Sequence, residues 1–220
     1  MIFNIYKMKY IVMVIAIGDI FWKAPAKEVL VHYFEKYEIP YVFIEEDPVK
    51  LNPKGVAPSW LKMICHRILP DYDAIICWDL DLLPASPDIR VMDMFDMTKI
   101  CLAKDCLAMR MAANKTVLPY CPEFKYNGGL ICIPKPLKNF TEVLFDKFAP
   151  GTLPWWEQCY LNNIIGAFKL PVHELPSDIN IFYTFEGFDA ARLQHYTCGL
   201  NAKEAILVHK ERYLKHGSIK

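Results

Sequence analysis

The sequence predicts one α/β domain over residues 1–220, with a largely parallel central sheet flanked by helices. Three observations carry that prediction. Short apolar runs bounded by Pro, Gly, Asp or Asn recur along the chain; segments with helical spacing lie between them; and no repeat, low-complexity stretch or Ser/Gly linker divides it. With 220 residues, 54% of them hydrophobic, one large core is expected.

In chain order, the apolar run Tyr10–Ile17 leads directly into Gly18-Asp19 and reads as a buried first strand. Lys27–Tyr37 (KEVLVHYFEKY) has helical spacing, and Tyr41–Ile44 is the second strand. Trp60–Leu69 reads as a helix, followed by the strands Ala74–Trp78, Ile100–Ala103 and Gly129–Ile133. Glu157–Ile165 is the last helical segment. Runs without polar alternation are the pattern of strands covered on both faces. In such sheets ligands bind outside the carboxyl ends of the strands, so residues that follow each apolar run are the first candidates.

Composition removes several function classes. Lys and Arg number 25 against 25 Asp and Glu, which leaves none of the basic excess by which nucleic-acid binders neutralise phosphates. No membrane span is expected, since the run Ile11–Ile17 has seven residues and a crossing helix needs about 20. That run also lacks the small-residue cleavage site of a signal peptide. The eight cysteines form no CxxC pair, and several sit in apolar runs such as AIICW and GGLICI, as small core hydrophobes do. A reducing, cytoplasmic location is expected.

Chemistry first shows at Asp79-Leu80-Asp81, where the strand Ala74–Trp78 should end. Alternate residues of an extended chain point the same way, so both carboxylates can address one hard cation, Mn²⁺ or Mg²⁺. A turn with solvated carboxylates is the bland alternative. Two enzyme classes place Asp-x-Asp at a strand end. One is the haloacid-dehalogenase type of phosphohydrolase, with Asp79 as nucleophile, which normally has Thr or Val where this chain has Leu83. The other is the GT-A nucleotide-sugar glycosyltransferase.

Four further segments, in order, resemble the glycogenin-like retaining glycosyltransferases of family 8. Lys62 stands ahead of Asp79 where that family carries a donor-reaching Lys or Arg; FKYNGGLICI, with Asn127-Gly128-Gly129, resembles Phe-Asn-Ser/Ala-Gly before a strand. Glu157-Gln158-Cys159-Tyr160-Leu161-Asn162 is similar to Asp-Gln-x-x-Leu-Asn, and His209 to Lys215 matches by position the His and Lys endpoints of that family's closing segment. In compact size, Asp-Leu-Asp and C-terminal His, the chain also resembles a small chlorella-virus glycosyltransferase associated with capsid glycosylation. It departs from the family pattern at Arg212, where Gly is common, and at His216-Gly217, where Pro-Trp is usual.

The resemblance implies a GT-A fold and transfer of a sugar from a UDP-sugar to a glycan or glycoprotein hydroxyl. It implies Asp79, Asp81 and His209 as metal ligands, with Lys62 and Lys215 neutralising the diphosphate. Ile17, Gly18 and Leu80 would lie against the uracil and ribose, and Asn127, Glu157 and Gln158 near the reacting sugar, beside Trp155-Trp156. The residues alone leave other readings open: a histidine hydrogen-bonded in the core, solvated lysines, a turn at Asn127, and Glu157 as a helix-start acid. His173, His195 and His216 read as structural or surface. Retention and inversion stay open, and so does a non-catalytic nucleotide-sugar binding module.

Overall fold

The structure is a computed structural model and describes residues 8–48, 50, 52, 55–113, 121, 124–149, 156–197 and 200–217. Its centre is a six-stranded sheet of β1 (Tyr10–Ile15), β2 (Tyr41–Ile44), β3 (Ala74–Asp79), β5 (Ile100–Lys104), β6 (Tyr126–Pro134) and β7 (Val172–Glu174). The strand order is β2-β1-β3-β6-β5-β7. Only β6 runs against the others, pairing antiparallel with both β3 and β5. The predicted strands therefore form, with β1 ending two residues early and β6 starting three residues early.

Alternate residues of the sheet feed two separate cores, which is why the strands lack polar alternation. On one face Val12, Val14, Ile76 and Trp78 pack against Leu30, Tyr33 and Phe34 of α1 (Lys23–Lys36). The same face takes Ile206 and Tyr213 of α6 (Leu200–Gly217). On the other, Met13, Ile75, Cys77 and Ile131 meet Leu144 and Phe145 of α4 (Lys138–Phe148) and Leu161 and Ile165 of α5 (Trp156–Phe168). A 3₁₀ run, Pro58–Ile64, and the single turn α2 (Cys65–Ile68) replace the predicted helix Trp60–Leu69.

A second sheet of three short strands lies beyond the carboxyl end of β3. It is made of β4 (Leu82–Pro84), β8 (Ile181–Phe182) and β9 (Leu193–His195), in the order β4-β9-β8. It has no counterpart in the sequence reading; nor do α3 (Cys106–Ala113), α4 and α6. Seven cysteines are buried, and Cys198 lies outside the described residues. Among the described residues no helix is long and apolar enough to cross a membrane.

Candidate active site

The carboxyl ends of β1 and β3 and the beginning of the reversed β6 meet at one edge of the sheet, where a cavity of about 350 Å³ opens. Asp79 closes β3 and Asp81 sits in the two-residue connection to β4. Leu82, next in sequence, is the cross-strand partner of His195. That register carries the imidazole to the acids: His195 Nε2 lies 3.3 Å from Asp81 Oδ1 and 4.0 Å from Asp79 Oδ2. One ligand atom from each of the three residues lies within 4.8 Å of the others. Two carboxylates and an imidazole form a donor set that fits a divalent cation, and the nitrogen suits Mn²⁺ better than Mg²⁺.

Two ammonium groups balance these acids. Lys203, in the first turns of α6, pairs with Asp81 and lies over the Trp22 ring. Lys62 is 3% exposed; its Nζ lies 2.5 Å from Asp79 Oδ1 and 3.8 Å from Glu157 Oε1, and donates to the Gly128 carbonyl at 2.8 Å. Side chains three apart line up along a 3₁₀ helix, so the run Pro58–Ile64 aims both Ser59 and Lys62 into the cavity. Burial pulls the Lys62 pKa down, but the Asp79 and Glu157 carboxylates outweigh it and raise it overall. Burial likewise pushes Asp81 up, yet His195 and Lys203 hold it well below the usual carboxylate range. Glu157, in the first turn of α5, is raised by burial, which Lys62 only partly offsets.

The opposite wall is a fully bonded polar network. Gln158 Oε1 accepts from the Gly128 amide at 2.8 Å, and its Nε2 donates to Asp105 Oδ2 at 3.2 Å. Asn127 Nδ2 donates to the same Asp105 oxygen at 3.0 Å and to Gln158 Oε1 at 3.1 Å. Asp105 turns its other oxygen to the amides of Leu107 and Ala108, capping α3. A Cβ on Gly129 would stand 2.8 Å from both Asn127 Oδ1 and His195 Cε1, so only glycine lets the imidazole close on β6. Asn162 clamps α5 to β6, accepting from the Lys125 and Tyr126 amides and donating to the Tyr126 carbonyl.

The structure thus brings together Lys62, Asp79, Asp81, Asn127, Glu157 and Gln158. Ile17 and Gly18 follow β1 at the same edge, beside the Asp79 end of β3, and Gly18 has a left-handed φ of 100°. Leu80 is buried in the core, its side chain turned away from the cavity lining. Trp155 lies outside the described residues, as does the side chain of Trp156.

His209 and Lys215 are not brought to the site. The apolar run Ala205–Val208 is the middle of α6, and Ile206, His209 and Tyr213 are the inward stripe of that helix. The His209 ring is spent on the protein: Nδ1 lies 2.8 Å from the Tyr196 hydroxyl and 3.2 Å from Gln194 Oε1, and Nε2 lies 3.0 Å from the Pro84 carbonyl. Lys215 is exposed, about 18 Å of helix beyond Lys203. His195 and Lys203 stand where His209 and Lys215 were expected. The signal lay in the sequence as His195, Gly199, Lys203, the same order of types that the resemblance requires. His173 bonds the Met94 carbonyl and His216 is exposed.

The architecture is that of the GT-A glycosyltransferases. It is similar to the crystal structure of a glycosyltransferase involved in glycosylation of the major capsid of PBCV-1, with a TM-score of 0.63 and 11% identity over 91% of this chain and 98% of that one. It is also similar to the galactosyltransferase LgtC, solved with donor and acceptor sugar analogues, with a TM-score of 0.59 and 11% identity over 92% and 96% of the two chains. No family model and no curated protein matches at the level of sequence.

Proposed function

We propose that this chain is a metal-dependent glycosyltransferase, acting as one domain. It takes a sugar from a UDP-sugar and passes it to a hydroxyl of a glycan or glycoprotein with retention, as glycogenin-like enzymes do. One observation carries the reading: a cation-ready Asp79/Asp81/His195 group shares one cavity with the buried Lys62, Glu157 and Asn127, at the sheet edge where this fold class binds ligands. The two structural neighbours, one concerned with a viral capsid and one solved with donor and acceptor analogues, support that substrate class.

Asp79, Asp81 and His195 would hold Mn²⁺ or Mg²⁺, which supplies Lewis-acid stabilisation of a leaving diphosphate. Lys203 offers the diphosphate a point charge at the same spot. The backbone of Ile17, Gly18 and Leu80 borders the nucleoside side. Asn127 and Gln158 present a fixed amide wall to the sugar hydroxyls. Lys62 holds Asp79 and Glu157 in place, and Glu157 meets positive charge that develops at the sugar carbon.

Incubation with Mn²⁺ and a panel of nucleotide sugars tests this reading: slow hydrolysis of one UDP-sugar is expected. Phosphate release from simple esters would instead favour a phosphohydrolase with Asp79 as nucleophile. Binding of a UDP-sugar with no turnover, with or without acceptors, would make the chain a non-catalytic nucleotide-sugar module.

A further inference from the structure

The tautomer of His195 is decided at a backbone amide. The Gly129 N–H can only donate, and it lies 2.6 Å from Asn127 Oδ1, so that atom of Asn127 is the carbonyl oxygen. Asn180 places a side-chain atom 2.6 Å from the same oxygen; that atom must be its NH₂ group, since two acceptors cannot sit so close. The Asn180 oxygen is left facing His195 Nδ1, also at 2.6 Å, and it accepts only if Nδ1 carries a proton. Rotating either amide by half a turn sets oxygen against oxygen or N–H against N–H somewhere along the chain. Nε2 is the nitrogen that remains for Asp79 and Asp81.

We infer that Asn180 is a positioning residue that holds His195 as the Nδ1–H tautomer, so that the Nε2 lone pair of the neutral ring is presented to a cation at Asp79 and Asp81. The backbone supports the assignment independently. Asn180 is fully buried with a φ of 69°, a left-handed conformation that Asn tolerates better than most side chains. It lies directly before β8, whose Ile181 and Phe182 pair with Gln194 and His195 of β9, so the amide is held in register with the ring it bonds. Outer hydrogen bonds of this kind set the orientation and basicity of a ligand histidine, and their loss typically costs about 10–100-fold in metal affinity. The inference rests on the proposed metal site for its purpose, but not for the tautomer itself.

Long-range ¹H–¹⁵N NMR of the histidine-labelled, metal-free chain, at a pH where His195 is neutral, tests it directly. The native chain should show a protonated Nδ1 and an unprotonated Nε2 at His195. Asn180→Gly accommodates the left-handed backbone but lacks the acceptor; it should shift His195 towards Nε2–H and lower Mn²⁺ affinity about 10–100-fold by calorimetry. An Nε2–H ring in the native chain, or an unchanged tautomer and Mn²⁺ affinity in Asn180→Gly, would overturn the inference. A native Nδ1–H ring that the Gly variant disturbs, in a chain that binds no Mn²⁺, would uphold the positioning and overturn the metal reading.

Discussion

His195 and His209 are both buried and both ringed by polar groups, yet only one has a nitrogen to spare. His209 lies between α6 and the small sheet with both ring nitrogens on protein oxygens, edge-on to Tyr196 and stacked on Tyr213. Burial, with Arg212 adding to it, pushes its pKa down to about 4. His195 spends Nδ1 on Asn180 and turns Nε2 to two carboxylates at a cavity. Burial and imidazole chemistry are common to both; what separates structure from site is the number of ring atoms the protein itself consumes.

The acids sharpen that contrast most. Asp79→Ala or Asp81→Ala should abolish Mn²⁺-dependent UDP binding, a loss of about 100-fold or more, with the circular dichroism of the fold retained. Unchanged calorimetric affinity in both variants would remove the cation from this edge altogether.

Glu157→Gln comes next. A carboxylate acting on charge at the sugar carbon matters more in the transition state than in the ground state, so kcat should fall about 100-fold while UDP affinity stays nearly constant. Parallel loss of both would place Glu157 on the nucleotide side.

The histidines themselves break the comparison if they respond alike. His195→Ala should weaken Mn²⁺ about 10–100-fold, whereas His209→Gln should leave metal affinity within about twofold and alter stability instead. The unfolded chain takes up the His209 proton near pH 6.5, the folded chain only near 4. Unfolded molecules therefore bind more protons across that window, and native stability falls as pH drops through it, by about 3 kcal/mol in all. Urea titrations at the two ends of the window should show this slope in the native chain and its loss in His209→Gln.

The smallest effect is expected at Lys203, whose ammonium pairs with Asp81. Lys203→Met should tighten Mn²⁺ a few-fold without nucleotide, by removing a competing cation, and weaken UDP binding once Mn²⁺ is present. Weaker Mn²⁺ binding in the variant would show that the lysine supports the acids rather than competing for them.

Strands buried on both faces announce themselves as unbroken apolar runs, which is why β1, β3, β5 and β6 were readable from the sequence; β2, a half-buried edge strand, shows the same kind of run. α6 was not: Ala205–Val208 is only a short apolar run unless Ala202, Ile206, His209 and Tyr213 are read together as one stripe. The acids, Lys62, Asn127, Glu157 and Gln158 carried local signals of type and spacing. β9 is three residues long and pairs with β4 across more than a hundred positions, so nothing near His195 announces the acids it meets. Asp105 follows β5 directly and satisfies the strand-end rule, but a lone acid has no partner to mark it. Asn180 matters only through the hydrogen bonds its side chain makes in space to Asn127 and His195.

The reversed β6 has a mechanical consequence. Because it runs against its neighbours, its first residues rather than its last reach the ligand edge, and they do so from a strand hydrogen-bonded on both sides and buried throughout. Amides in such a strand exchange with solvent only through openings close to global unfolding. Gly18, Asp19 and Ile20, beyond β1 on the other side of Asp79, are exposed. The wall built by β6 is therefore the stiff half of the cavity edge, and the segment after β1 the yielding half. Deuterium uptake should be slowest at Leu130–Cys132, and adding nucleotide should slow it at Gly18–Ile20 while leaving the strand unchanged.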